Sequence, residues 1–402
     1  MAFDALARFF GRLAGQAPGL DKMVDKVDRR LEELSDAQRD QAARLESALA
    51  ALRPGKGQAA TSKDASEILQ ALRALTRDLD RADARIYAQL DEIAKGTAPI
   101  VIGPWTGEVG FELLYWAPFV RWFQARWKIP GERCVIVSRG GTASWYGIEG
   151  ARYVDAFDVM SVDAFRAGTD PDKHKQRKVS AFDQEIVAAA AGRLSLTTPG
   201  TLHPEVMYRA LSPFWTDEAG FAAVERFTLH RRLASPDDPL DEPLLAALPR
   251  EYVAARFYFS DAFPDTPQNR STARAVLASV SRTLPVVLLD PGLRVDDHAD
   301  YSSADPGRII ALPPGIAPER NLAVQSVIIS RARAFVGTYG GYAYLAPLYG
   351  VPAIGIYSSR NFKSHHLYAA QRVFERLGAG ALHAVDAGDL DLLATLVRSV
   401  RL

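Results

Sequence analysis

Ala334-Phe335-Val336-Gly337-Thr338-Tyr339-Gly340-Gly341-Tyr342 begins with a short apolar run, passes through three glycines and enters a segment of helix length. That segment stops at Leu348-Tyr349-Gly350-Val351-Pro352, and a second apolar run follows, Ala353-Ile354-Gly355-Ile356-Tyr357. Strand, glycine turn, helix and strand in about 25 residues make a βαβ unit, which builds a parallel sheet. Glycine lets a ligand approach the backbone closely. The first turn of the next helix offers unpaired N–H groups and the positive end of its dipole. A diphosphate or other anion suits such a place. The competing reading is a tight turn that holds no ligand.

The same alternation spreads outward from this unit. Strands are predicted at Tyr252–Tyr258, Val286–Leu289 and Arg308–Leu312, with helices at 270–283, 321–332, 342–349, 365–378 and 389–400. Upstream, Ile100–Gly103, Cys134–Ser138 and Tyr153–Asp158 read as strands, and 111–127, 181–194 and 217–233 as helices. The Pro- and Asp-rich stretch Ser235–Pro243 reads as a linker. This gives an N-terminal α/β domain over 98–240 and a C-terminal one over 241–402.

Residues 18–97 are of another kind. Leu20, Val24, Val27, Leu31 and Leu34 form an a/d seam. It breaks at Arg53-Pro54-Gly55, and Ile68, Leu72, Leu75, Leu79, Ala82, Ile86, Leu90 and Ile93 form a second one. A helical hairpin or a coiled coil is expected, since neither helix buries its stripe alone. It serves either as a spacer or as a contact with a second copy or a partner protein. Residues 1–17 carry Phe3, Leu6, Phe9, Phe10 and Leu13 beside Arg8 and Arg12. They suit a helix packed on the body, or one lying on a membrane surface.

Composition narrows the function. In 402 residues, 48 Lys and Arg balance 48 Asp and Glu, so nucleic acid is not an expected partner. The single cysteine, Cys134, excludes an intrachain disulfide and reads as a buried, inert thiol. Neither a membrane-spanning run nor a secretory signal is seen, and a cytoplasmic protein, with or without peripheral contact with the inner membrane, is expected.

The run from Ala334 to Ser358 resembles the C-terminal signature of bacterial surface-glycan glycosyltransferases of the GT-B type, notably the heptosyltransferases. The matching residues are Gly337, Thr338, Gly340, Gly341, Gly350 and Pro352. The heptosyltransferases carry an Asp before the turn and a His soon after it, where this chain has Tyr339 and Tyr342. The resemblance implies two Rossmann-like domains facing a cleft, with the nucleotide-sugar donor bound by the C-terminal domain. Donor-binding residues are then Arg256, Gly337, Thr338, Tyr339, Gly340, Gly341, Tyr342, Ser358 and Asn361. Arg256 sits in the apolar strand Ala254-Ala255-Arg256-Phe257, where a guanidinium needs either a phosphate or a buried partner.

In GT-B enzymes the loop after the first N-terminal strand often supplies the general base. Here it reads Gly103-Pro104-Trp105-Thr106-Gly107-Glu108-Val109-Gly110-Phe111-Glu112, and its Gly-Glu pair is similar to the base-bearing loop of the Kdo transferases. Transfer needs a group to accept the proton of the acceptor hydroxyl. Glu108 is the candidate, with Glu112 one helical turn on; the alternative for Glu108 is a carboxylate that stabilises a helix start. Trp105 is expected to stack on a sugar, and Arg139, in Ser138-Arg139-Gly140-Gly141, to bind acceptor or phosphate. His365 and His366 read as a helix start. No Asp-x-Asp follows a strand, so no metal and no cofactor is expected beyond the donor substrate. The expected activity is metal-independent, inverting glycosyl transfer from a nucleotide sugar to a glycan, lipid-linked or protein acceptor. Two alternatives stand beside it: a non-catalytic nucleotide- or glycan-binding scaffold acting through its coiled coil, and a transferase with a non-sugar donor such as a pyruvyl group.

Overall fold

The computed structural model describes residues 83–169, 176–216, 220–236, 240, 242–290, 299–301, 308–313, 315–359, 364–389, 391–392 and 394–395. Segment 1–17, most of the hairpin and Asn361 lie outside these residues. The chain divides into two compact units.

The smaller unit joins residues up to Glu92 to Val206–Phe227. A helix over 83–94 presents Ile86 and Leu90, both buried. Tyr87 packs on Phe227 with ring centroids 5.8 Å apart, Arg226 pairs with Asp83, and Arg209 donates to Gln89. These two apolar positions of the second seam are thus covered within the chain.

The larger unit, Ile93–Glu205 with Thr228–Leu402, holds two parallel sheets. The first begins with β1 (Ile100–Ile102). Helix α1 follows as one run, Val109–Phe111, a turn of π-helix at Glu112–Trp116, then Ala117–Arg126. Next come β2 (Cys134–Ser138), α2 (Ala143–Tyr146), β3 (Arg152–Asp155), α3 (Val162–Gly168), α4 (Ala181–Arg193) and β4 (Gly200–Leu202). The strand order is β3-β2-β1-β4 and all pairs are parallel. Val101, Val135, Val137 and Val154 pack against Phe165, Ile186 and Ala190, so the apolar runs are buried by the crossover helices.

The second sheet is built from β5 (Val253–Arg256), β7 (Val286–Leu288), β9 (Ile309–Ala311), β10 (Ala334–Thr338), β11 (Ala353–Tyr357) and β12 (Leu382–Asp386). Between them lie β6 (Tyr258–Phe259) and β8 (Ala299–Asp300), which pair antiparallel. Helices α5 (Pro267–Ser281), α6 (Asn321–Arg331), α7 (Gly341–Leu348) and α8 (Ser364–Leu377) connect the strands of the unit's second half. The order is β12-β11-β10-β5-β7-β9.

Both orders reverse direction once. In the first sheet the chain moves from β1 outward through β2 and β3, then returns to the far side of β1 as β4. In the second it moves from β5 through β7 and β9, then returns beside β5 as β10. Ligands of open parallel sheets sit beyond the carboxyl ends of strands at such reversals. The loops concerned are those after β1 and β4, and those after β5 and β10.

A helix expected over 217–233 ends at Phe227. Beyond it the chain has no regular structure over 228–236, because its amides bond elsewhere: Leu229 N to Pro118 O at 2.9 Å and Leu233 N to Leu348 O at 2.9 Å. Strands β4 and β12 have no counterpart in the sequence reading. Among the described residues, no helix is long and apolar enough to cross a membrane.

Candidate active site

The glycine turn after β10 is shaped by its neighbours. Gly337 pairs with Arg256 across β10 and β5, and a Cβ there would overlap the Arg256 carbonyl oxygen. Gly340 caps α7 with φ +153° and no side-chain cap; a Cβ on it would overlap the Tyr258 hydroxyl. The first-turn amides of α7 are left by helix geometry without intrahelical acceptors, and Gly340 and Gly341 are partly exposed.

Arg256 is nearly buried at the end of β5. Its Nη1 donates to Gln325 Oε1 at 2.6 Å, and its guanidinium lies 4.2 Å over the Tyr342 ring. Gln325 in turn donates to Asn321 Oδ1 at 2.9 Å. Two expected donor contacts are corrected. Thr338 is fully buried and locks β6 to β10, accepting from Tyr258 N at 3.0 Å and donating to Tyr258 O at 2.8 Å. Tyr339 is buried and accepts from the Tyr344 hydroxyl at 2.6 Å, and burial pushes its own phenol up to about 12. Ser358 is exposed and accepts from Asn269 Nδ2 at 2.7 Å.

On the facing side, Glu108 is the N-cap residue of α1; it is exposed, and its carboxylate makes no capping bond. Trp105 is not a sugar platform: it is fully buried and stacks on Trp116 at 6.0 Å. Glu112, expected as a second carboxylate, does not share the exposure of Glu108. It is fully buried, and its Oε1 accepts from Ser138 Oγ at 2.6 Å, Tyr146 Oη at 2.7 Å and Thr142 Oγ1 at 3.2 Å. Burial raises its pKa, against the opposing pull of Arg139 and the three hydroxyls. Arg139, expected at acceptor or phosphate, is buried and donates from Nη2 to the Gly107 carbonyl at 2.5 Å.

The π-turn has a visible cause. Pro118 has no N–H to give to the carbonyl of Leu114 four residues earlier. His230 supplies a donor, with Nε2 2.8 Å from that oxygen. A carbonyl only accepts, so Nε2 carries the proton. Burial foremost, with the charges of Arg121 and Arg376, brings His230 down to about 4, against the pull of the carbonyl.

The two turns meet directly. A Cβ on Gly110 would lie 3.3 Å from Gly341 Cα, and one on Gly341 would lie 2.7 Å from Gly110 N. The starts of α1 and α7 are thus apposed backbone to backbone, with Glu108 beside the joint. Within the first two turns of α1, Tyr115 Oη is 2.7 Å from His366 Nδ1 on α8, and Phe111 packs edge-on against the same imidazole at 4.8 Å. Sequence reasoning gave His366 no role beyond starting a helix. A pocket of about 310 Å³ lies elsewhere, lined by residues such as Gly141, Ser144, Arg152, Tyr153 and Ala323; it includes nothing from 103–110 or 337–342. Among the described residues no three His, Cys, Asp or Glu side chains gather as a metal site.

No protein-family model matches the chain. No curated protein matches it. Among solved structures it is similar to the iron-containing dodecameric glycosyltransferase TibC of E. coli, at 14% identity and TM-score 0.36, over 65% of this chain and 59% of TibC. The chain thus spans less than two thirds of TibC. It is also similar to the E. coli heptosyltransferase WaaC, solved with ADP-2-deoxy-2-fluoro heptose (13%, TM-score 0.38, 74% of this chain and 99% of that one). The E. coli ADP-heptose lipopolysaccharide heptosyltransferase II gives 14%, TM-score 0.37, and 75% and 100% coverage.

Proposed function

We propose that the chain is a glycosyltransferase of the GT-B type, moving a sugar from a nucleotide-sugar donor to an acceptor hydroxyl on a glycan, lipid-linked saccharide or protein. One observation carries this reading: two turns, each at the reversal point of its own sheet, meet at Gly110 and Gly341 with an uncapped, exposed carboxylate, Glu108, at the joint. The amides at the start of α7 and the Arg256 guanidinium suit a diphosphate, whose growing charge they stabilise as it leaves. Glu108 takes the proton of the acceptor hydroxyl. The acceptor oxygen bonds to the anomeric carbon while the carbon–oxygen bond to the diphosphate breaks, and the nucleoside diphosphate keeps the electron pair. Direct displacement inverts the anomeric centre. Charge neutralisation by Arg256 and the helix start makes the reaction metal-independent.

The close fit of Gly341 on Val109 and Gly110 favours one other reading, a scaffold whose halves stay shut. Thermal shift with UDP-, GDP-, ADP- and CMP-linked sugars, followed by turnover of wild type and Glu108→Gln, separates the two. The transferase binds one donor class, and Glu108→Gln keeps binding while losing at least 100-fold in kcat, about the scale of general-base catalysis. Binding without any turnover, or equal turnover by Glu108→Gln, rejects the mechanism.

A further inference from the structure

We infer that Gln176 and Arg139 are positioning residues that clasp the loop 104–107 from its two sides and so fix the direction in which Glu108 is presented. The inference rests on the transferase reading of Glu108. The loop is irregular, yet Gly103, Pro104, Trp105 and Gly107 are buried. Buried backbone groups need partners: Trp105 N donates to the Val137 carbonyl at 2.9 Å, and two side chains serve other groups of the loop. Gln176 accepts from Thr106 N at 3.1 Å and donates to Pro104 O at 2.8 Å, spanning the loop as a neighbouring strand would. Arg139 Nη2 donates to Gly107 O at 2.5 Å, one residue before Glu108.

Each clasping side chain is itself held. The Gln176 amide also donates to Asp183 Oδ1 at 2.8 Å. Asp183 closes a capping box with Ser180 at the start of α4 and lies 3.3 Å from His203 Nε2, just past β4. Arg139 belongs to the turn Ser138–Thr142, whose two end hydroxyls both donate to Glu112 Oε1. Glu112 therefore acts one step back, anchoring the turn that anchors the loop. The design is a fixed base with a free carboxylate: Glu108 makes no capping bond, while the three residues before it are tied.

A displacement of about 1 Å in a reacting group costs on the order of 100-fold in rate. In the full-length protein, Gln176→Ala and Arg139→Ala should lower kcat about 10- to 100-fold with donor KM held within about threefold, and Arg139→Lys, which keeps a donor, should recover part of the loss. A merely structural pair would instead lower the thermal midpoint and leave kcat per folded molecule intact. Hydrogen exchange supplies a readout without turnover: amides of 105–108 should exchange at least tenfold faster in both alanine variants, while 353–357 stays protected. Unchanged kcat in both folded variants overturns the inference, as does unchanged exchange at 105–108. If the wild type turns over no nucleotide sugar, the transferase reading falls, and exchange alone then decides whether the clasp exists. Should Gln176→Ala fail to fold, the Arg139 pair of variants carries the same test.

Discussion

Replacing Gly341 with alanine adds one methyl group at the joint between the two turns. That carbon would sit 2.7 Å from Gly110 N and 2.9 Å from Val109 Cβ. Ordinary carbon contacts lie near 3.5–4 Å, so the starts of α1 and α7 must separate by roughly 1 Å. Overpacking of this kind costs about 1–3 kcal/mol, against a gain of up to about 1 kcal/mol from replacing glycine in a helix. The net effect is a loss of about 0.5–2 kcal/mol, at about 2–4 °C of midpoint per kcal/mol. Gly192 on α4 is the control, since a Cβ there meets nothing within 4 Å; Gly192→Ala should stabilise by about 0.5–1 kcal/mol. Urea unfolding and calorimetry of both variants, with donor turnover, read the outcome. A Gly341→Ala protein as stable and as active as the wild type would refute the apposition of the two turns.

Three other outcomes are expected. His230 falls from 6.5 to about 4 in the fold, so its neutral form is favoured there; its contribution is intact above pH 6.5 and is lost as pH drops toward 4. Between pH 7.5 and 5 that loss is about 2 kcal/mol, and His230→Gln should flatten this part of the urea-midpoint profile; an identical profile would count against the assignment. Arg256→Ala removes the bond to Gln325 and the cation over Tyr342, and should weaken nucleoside diphosphate binding at least tenfold by calorimetry, with Arg256→Lys only a partial substitute. Burial pushes the Cys134 thiol up to about 11. A disulfide reagent should therefore leave the native protein untouched at pH 8 and titrate one thiol in urea.

The parallel sheets were legible because each central strand is a short apolar run bounded by turn residues. Cys134–Ser138 and Ala353–Tyr357 fall where the residues say. Strand β4 escaped notice because Gly200-Thr201-Leu202 is three residues with one large apolar side chain, and β12 because Leu382-His383-Ala384-Val385-Asp386 is interrupted by His383 and falls in the short connection between two expected helices. The site was half legible. Glycines and charges in the two turns marked where the sheets reverse, but the destination of a side chain depends on residues far away. Glu112 turns inward because Ser138, Thr142 and Tyr146 wait for it. Trp105 turns inward because Trp116 offers a face to stack on. Gln176, 70 residues from the loop it ties, left no local signal at all.

Helix α1 contains a missing rung, at Pro118, that is mended by an imidazole 116 residues from the oxygen it serves. The mend comes from the crossing chain, which also fastens Leu229 N to the Pro118 carbonyl and accepts one bond from Arg121 Nε at the Leu229 carbonyl. Helix α1 is consequently unfinished without the segment of chain that crosses it. Cutting the protein after residue 227 would not yield a self-sufficient module; it would yield a helix short of one donor, at the Leu114 carbonyl.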